Sequence, residues 1–205
     1  MQRTQSQFWR DVVSGKDRSW KAACVRAVLT ASEPFVAMGV LWRNRRYDHG
    51  RAAIHDVGVP VISVGNITLG GTGKTPMTAW LCRWFRRHAV RIAIVSRGYG
   101  AEAGAINDEA AVLELQLPDV PHLQNPDRVL GAKTAIEELA SQIVVLDDGF
   151  QHRRLRRTLD MVMLDALDPF GGHHLFPRGT LREPLGSLRR ADVVVLSRAD
   201  QVSAG

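Results

Sequence analysis

Short continuous apolar runs recur along most of this chain, at residues 61–64, 91–96, 143–147, 161–164 and 193–197. They are rich in Val and Ile and lack the in–out alternation of a half-exposed strand. Each therefore reads as a strand covered on both faces. Between them, apolar positions recur every three to four residues over 75–88 and 127–140, which predicts two helices. Strand alternating with helix predicts an α/β fold built on a mainly parallel sheet with right-handed crossovers. Ligands of such sheets sit beyond the carboxyl ends of the strands. Residues 98–107 and 165–190 follow neither period, and long segments of that kind are often functional.

The first 51 residues have a different character. Their main feature is an apolar stretch over 22–42, interrupted by Arg26, Glu33 and Pro34. It falls short of ~18 uninterrupted apolar residues, so a spanning helix is not expected. No small-residue cleavage site follows it, so a signal peptide is not expected either. Residues 1–51 carry ten Lys/Arg and four Asp/Glu, which accounts for the whole net charge of +6. They also hold Trp9, Trp20 and Trp42, three of the five tryptophans. Clustered Arg and Trp around an apolar stretch suit a helix lying on an anionic membrane face. An amphipathic helix packed on the following domain fits the same pattern. No motif or aromatic–basic interleaving supports nucleic-acid binding. The chain divides by character into a basic, Trp-containing segment, 1–51, and an α/β domain, 52–205. Its 205 residues suffice for one such domain with a core and a small appendage. Cys24 and Cys82 have no metal-ligand spacing and imply no disulfide framework, in keeping with a reducing compartment.

Candidate chemistry begins where the first strand ends. Gly70-Gly-Thr-Gly-Lys-Thr75 lies between the strand at 61–64 and the helix at 75–88. Strand, glycine-rich turn and helix N-terminus together form a phosphate cradle. Backbone amides converge on an anion, and the helix end adds partial positive charge. Lys74 would reach the β/γ-phosphates and the Thr75 hydroxyl would face Mg²⁺. The strict pattern has a glycine where this chain has Thr68, and Gly70 and Gly71 supply the flexibility instead. The fold class is thus α/β of the P-loop NTPase kind, a mainly parallel sheet flanked by helices, preceded by a helix that either associates with a membrane or packs on the domain.

A second cluster follows the strand at 143–147. Asp147 and Asp148 end a run of four apolar residues, as in a strand whose carboxylates serve Mg²⁺ beside a phosphate loop. Two surface acids capping a strand would read the same. Gly149-Phe-Gln-His152 comes next, placing Gln151 and His152 within reach of metal or phosphate. Arg153, Arg154, Arg156 and Arg157 form either a solvated turn or an anion-recognition cluster. Asn107-Asp-Glu109 follows the loop after the second strand, and a carboxylate there could take a proton from an attacking hydroxyl. His173 and His174 are adjacent and diverge, so they make a poor metal pair. Arg182-Glu183 offers a phosphate donor and a metal ligand. Ser197-Arg-Ala-Asp200 faintly resembles a guanine-reading loop, which keeps open a nucleotide switch or a membrane-binding module with a vestigial nucleotide site.

Taken together, Ser63-Val-Gly-Asn66, Gly70-Gly-Thr-Gly-Lys-Thr-Pro76, Ser96-Arg-Gly-Tyr-Gly100, Asp147-Asp-Gly-Phe-Gln-His152 and Leu181-Arg-Glu-Pro184 resemble the tetraacyldisaccharide 4′-kinase family, in family order over roughly residues 20–200. The resemblance implies ATP and Mg²⁺ as cofactors. It implies phosphorylation of an acylated glucosamine disaccharide phosphate in lipid A synthesis, by a peripheral enzyme on the cytoplasmic face of the inner membrane. An anionic membrane contact through the N-terminal helix is implied; a nucleic acid or protein partner is not. Implied nucleotide contacts are Thr68, Gly70, Gly71, Thr72, Gly73, Lys74 and Thr75. Implied catalytic residues are Asp108, Asp148 and Lys74, with Asp108 as the base although its flanking Gly and Pro are absent. Thr75, Asp147, Gln151 and Glu183 would serve the metal, and Tyr99, Arg128, His152 and Arg182 the acceptor. Family members continue through a C-terminal region that supplies a histidine partner to the base, and this chain is expected to lack it.

Overall fold

The computed structural model describes residue 12, residues 17–98 and residues 108–202. Six strands form one parallel sheet: β1 (Val61–Asn66), β2 (Ile92–Ser96), β3 (His122–Gln124), β4 (Ile143–Asp147), β5 (Leu159–Asp165) and β6 (Val193–Ser197). Their order is β3-β2-β4-β1-β5-β6. The chain leaves β1 toward β2 on one side, then crosses back over β1 from β4 to β5. The carboxyl end of β1 is therefore the point where crossovers part, which is where doubly wound sheets place ligands.

Among the described residues, four long α-helices accompany the sheet: α1 (Trp20–Asp48), α2 (Lys74–Arg87), α3 (Asp108–Gln116) and α4 (Arg128–Glu137). Successive strand residues serve opposite faces. Ile62, Val64, Ile94 and Val145 pack with Ala79, Leu81 and Cys82 of α2 and Leu113 of α3. Val61, Val95, Val144 and Leu146 pack with Val129, Ala132 and Ala135 of α4. Beyond β5, Val162 and Leu164 meet Ile67, Phe150, Leu175 and Leu181, covered by the segment 166–191. Burial on both faces explains why β1, β2, β4 and β5 lack alternation.

The strands expected at 143–147 and 193–197 match β4 and β6 in extent, but β6, at the sheet edge, is largely exposed and not covered on both faces. The other expected strands match β1, β2 and β5 with ends shifted by one or two residues. The two predicted helices become α2 and α4. α4 ends at Glu137, three residues early, and Asp127 is its cap, accepting from Val129 N at 3.0 Å. β3 and α3 carry too little periodic signal to be expected: β3 has three half-buried residues and α3 only nine in all.

α1 departs furthest from the expectation. Ser19 caps it, accepting from Ala22 N at 3.2 Å, and it runs unbroken for 29 residues through Pro34. That is roughly 43 Å at 1.5 Å per residue. By length and composition alone it is long and apolar enough to cross a membrane, although Arg26, Glu33 and Pro34 interrupt it. Only Ala22 and Asn44 of it are buried, so it is not a core helix either. Trp20, Val28, Phe35, Met38 and Trp42 are all more than 60% exposed.

Candidate active site

β1 delivers the chain into the glycine-rich turn, and buried contacts pin both ends. Asn66 Nδ2 donates to the Thr72 hydroxyl at 3.0 Å, with both side chains buried. Thr68 is buried and bridges Leu181, while Leu69 N donates to Thr180 O at 2.7 Å. Gly70 and Gly73 have φ of 120° and 82°, which side-chain-bearing residues rarely adopt. Gly73 occupies the N-cap of α2 with no side-chain cap, and Gly71 lies exposed in the turn. The first-turn amides of α2, at Lys74 and Thr75, have no intrahelical acceptor, so that end suits an anion.

β4 lies beside β1, with Val64 opposite Asp147. Asp147 is buried at the strand end and accepts from the Thr78 hydroxyl at 3.1 Å. Asp148 follows in left-handed conformation, φ 52°. Arg182 grips its carboxylate with both terminal nitrogens, at 2.7 and 3.0 Å, and Lys74 Nζ stands 3.6 Å away. Burial alone would raise the Asp148 pKa. The Arg182 hydrogen bonds and the Arg182, Lys74 and Arg128 charges prevail and hold it below the usual carboxylate range. Arg128, itself buried, donates to Asp148 O at 3.3 Å.

The following turn folds back on β1. Gln151 Nε2 donates to Asn66 O at 2.8 Å, which leaves Gln151 Oε1 buried without a hydrogen-bond partner. His152 also keeps a buried, unpartnered Nε2. Burial, then Arg128, Arg154 and Arg157, push its pKa down to about 4, so the ring is neutral at pH 7. The fold thus gathers Lys74, Thr75, Asp147, Asp148, Gln151, His152, Arg128 and Arg182 about the carboxyl ends of β1 and β4.

Among the described residues, no three His, Cys, Asp or Glu side chains cluster as a self-sufficient metal site. The donor set instead fits an ion that brings phosphate oxygens with it: one buried carboxylate, one hydroxyl on the phosphate helix and the orphaned Gln151 amide oxygen. Mg²⁺ accepts such a shared shell of few protein ligands.

Glu183, expected to serve the metal, is engaged by α1 and the segment after it in this structure. It is fully buried, and its oxygens accept from Arg43 Nη2, Asn44 Nδ2 and Arg190 Nη2, each at 2.9 Å. Tyr99 and Asn107 lie outside the described residues, as does the side chain of Asp108, whose backbone opens α3. His174, no metal partner of His173, holds Glu33 of α1 through Nδ1 at 2.9 Å. Arg198 donates to Gly71 O at 3.3 Å and pairs with Asp165, so the segment after β6 borders the phosphate loop. Sequence reasoning gave no role to Asn66 or Thr78. Asn66 ends a quoted motif; Thr78 carries no local signal.

Comparison with known proteins bears on the fold and the family. The family model described as tetraacyldisaccharide-1-P 4′-kinase (LpxK) matches residues 25–204. A tetraacyldisaccharide 4′-kinase from Anaeromyxobacter sp. (strain Fw109-5) is 44% identical over 90% of this chain and 56% of its own length. One from Geobacter sulfurreducens is 37% identical over 93% of this chain and 59% of its own. The crystal structure of an "apo" form of LpxK from Aquifex aeolicus in complex with ATP superposes with a TM-score of 0.78. It is 34% identical and covers 86% of this chain and 60% of that one. The chain spans little more than half the length of the relatives it matches. With the match extending over nearly all of α1, the sheet and the phosphate loop, the chain belongs to the tetraacyldisaccharide-1-P 4′-kinase family.

Proposed function

We propose that this chain binds ATP with Mg²⁺ at the Gly70–Thr75 turn. The γ-phosphate then passes to the 4′-hydroxyl of an acylated glucosamine disaccharide 1-phosphate. The observation that carries the reading is the joint between phosphate loop and acid turn. Lys74 of the loop stands 3.6 Å from Asp148, which Arg182 holds from the other side.

In this reading the amides of Gly71–Thr75 and the Lys74 ammonium hold the β- and γ-phosphates. Thr75, Asp147 and Gln151 Oε1 would hold Mg²⁺, which would supply positive charge at the phosphate oxygens when bound. The acceptor oxygen attacks γ-phosphorus, the bond to the β–γ bridging oxygen breaks, and ADP leaves. Asp108 takes the acceptor proton. Asp148 keeps Lys74 and Arg182 at the phosphate side of the site. Arg128, Arg182 and neutral His152, with Tyr99, bind the acceptor's polar groups. Most of the rate comes from positioning and fixed charge.

The acceptor is a lipid, and α1 supplies a means of meeting it. Its exposed face carries Phe35, Met38 and Trp42, with Arg45 and Arg46 in its last turn. Glu33, Arg43, Asn44 and Asp48 are bound to the α/β body, so its C-terminal half is not a free span. That docking and the charge support a peripheral position on an anionic membrane surface, and kinship with the family supports the cytoplasmic face of the inner membrane as its place.

Transfer of labelled γ-phosphate from ATP to tetraacyldisaccharide 1-phosphate tests the reading, with a longer relative as positive control and GTP as competitor. Labelled lipid is the expected product. Failure to bind ATP, or clear selectivity for GTP, would overturn it.

A further inference from the structure

The buried carboxylate of Glu183 sits between α1 and the catalytic turn, and no step of the proposed chemistry uses it. On one side it is held by Arg43 and Asn44 of α1, 140 and 139 residues away in sequence. On the other it holds Arg190, whose guanidinium lies 4.5 Å from the centroid of the Phe150 ring. Phe150 is fully buried in the turn that runs from Asp148 to His152. The preceding residue, Arg182, is the one that grips Asp148 in two hydrogen bonds.

A second link runs in parallel. Arg153, just past the turn, donates to Asn44 O at 3.1 Å and to Asp48 at 2.7 Å, and lies over the Tyr47 ring. Arg157 donates to the carbonyls of Gly149, Phe150 and His152, at 3.1–3.5 Å, and pairs with Asp160. The last two turns of α1 are thus bolted to the turn that carries Asp148 and Gln151.

The joint is also imperfectly satisfied. Arg43 Nε, Asn44 Oδ1 and Arg190 Nε are buried without hydrogen-bond partners. Each buried polar atom without a protein partner is costly. Their cost falls on the joint between an exposed apolar helix and a phosphoryl-transfer turn. A small shift of α1 changes which of these groups are paired.

We propose that Glu183 is a positioning residue that couples α1 to the nucleotide site, so that engagement of α1 by an anionic lipid surface tightens binding of Mg·ATP. The inference rests on the nucleotide-binding reading above. The lipid surface is chosen because α1 presents Trp20, Val28, Phe35, Met38 and Trp42 to solvent, with Lys21, Arg45 and Arg46 on the same helix. Lipid that fixes α1 orders Arg43 and Asn44 around Glu183 and stiffens the Asp148–His152 turn. Phosphate then binds a turn already ordered. Coupling of this kind is reciprocal, so ATP also tightens the hold on the membrane. A corollary is that removing residues 1–51 exposes Glu183 and Arg153 and impairs the nucleotide site, although the phosphate loop begins well after that segment.

The test uses the 205-residue chain, vesicles of phosphatidylcholine with ~30% phosphatidylglycerol, and calorimetric titration of Mg·ATP with and without them. Kd should fall about fivefold on vesicles, the lower end of ordinary coupling between sites. In Glu183→Gln, and in Arg43→Ala, which spares the core should the first variant fold poorly, both ligands should still bind while the vesicle effect disappears. A parallel outcome is expected in co-sedimentation: ATP increases the wild-type sedimented fraction and leaves the variants unchanged. A merely structural role would lower melting temperature in the variants without removing the vesicle effect. Equal Kd with and without vesicles in wild type, or a shift retained in a folded variant, overturns the coupling alone. Absence of ATP binding overturns the nucleotide reading as well, and absence of sedimentation overturns the lipid surface.

Discussion

Replacing Arg182 with Ala tests the electrostatic design of the site without touching the phosphate loop. The guanidinium makes two charge-assisted hydrogen bonds to Asp148, at 2.7 and 3.0 Å, with both side chains more than three-quarters buried. Lys74, at 3.6 Å, is the smaller partner that remains. A hydrogen bond to a charged group is worth ~1.5–3 kcal/mol, and the pair shares one carboxylate, so the loss should be about 2 kcal/mol at pH 7. With a urea slope of ~2 kcal/mol per molar, the midpoint should fall by roughly 1 M. The sign with pH follows from the depressed Asp148 pKa. Its contribution is complete above the unfolded value near 3.8 and disappears as pH falls through the lower folded value. The gap between wild type and variant should therefore be constant from pH 7 to about 5 and narrow below about 4. Urea unfolding followed by tryptophan fluorescence across that range measures it. A gap that is absent at pH 7, or unchanged at pH 3, would refute the pairing as the cause.

Three further outcomes are expected. Lys74→Ala should weaken Mg·ATP binding by about tenfold or more, because a point charge at the β/γ-phosphates is lost; calorimetry giving the wild-type Kd would remove the loop from the mechanism. Asp108→Ala should leave ATP affinity nearly intact while lowering transfer ~10²–10⁴-fold, as removal of a base does; normal kcat would assign the proton to another group. His152, with a folded pKa near 4, should stay neutral in NMR titrations down to pH 5. Because that value is depressed, stability should decline as pH falls from 6.5 toward 4, and His152→Gln should remove that part of the decline.

The sheet was legible because its inner strands are buried on both faces and spell continuous Val/Ile runs. β3 was not, since an edge strand of His122, Leu123 and Gln124 needs neither apolar run nor alternation. The phosphate loop was legible because close backbone approach to phosphate demands glycines at a strand-to-helix junction. The surroundings of Glu183 were not legible. An acid beside Arg182 looks like a ligand, and only the tertiary fold, bringing Arg43 and Asn44 from 140 and 139 residues upstream, shows which groups hold its carboxylate. α1 shows the limit of counting interruptions. Arg26 donates to Val12 O and Asp17 O, and Glu33 accepts from Leu175 N and pairs with His174 Nδ1, so each charge is satisfied without breaking the helix.

The two halves of the site are held together by contacts that admit no side chain. A Cβ on Gly65 would meet Phe150 N and Cβ at 2.6 Å, and one on Gly149 would meet Ser63 Oγ at 2.6 Å. β1 and the turn after β4 therefore approach each other more closely than side-chain-bearing residues allow. That approach brings the phosphate loop to the acid turn. Asp148 then has to leave β4 in left-handed conformation, which costs a non-glycine residue ~1–2 kcal/mol. A glycine would remove that strain but also the carboxylate that Lys74 and Arg182 hold. Two ion pairs offset the strain and at the same time fix both cations where phosphate oxygens would arrive. The backbone cost at Asp148 is thus bound to the charge arrangement that the proposed transfer needs.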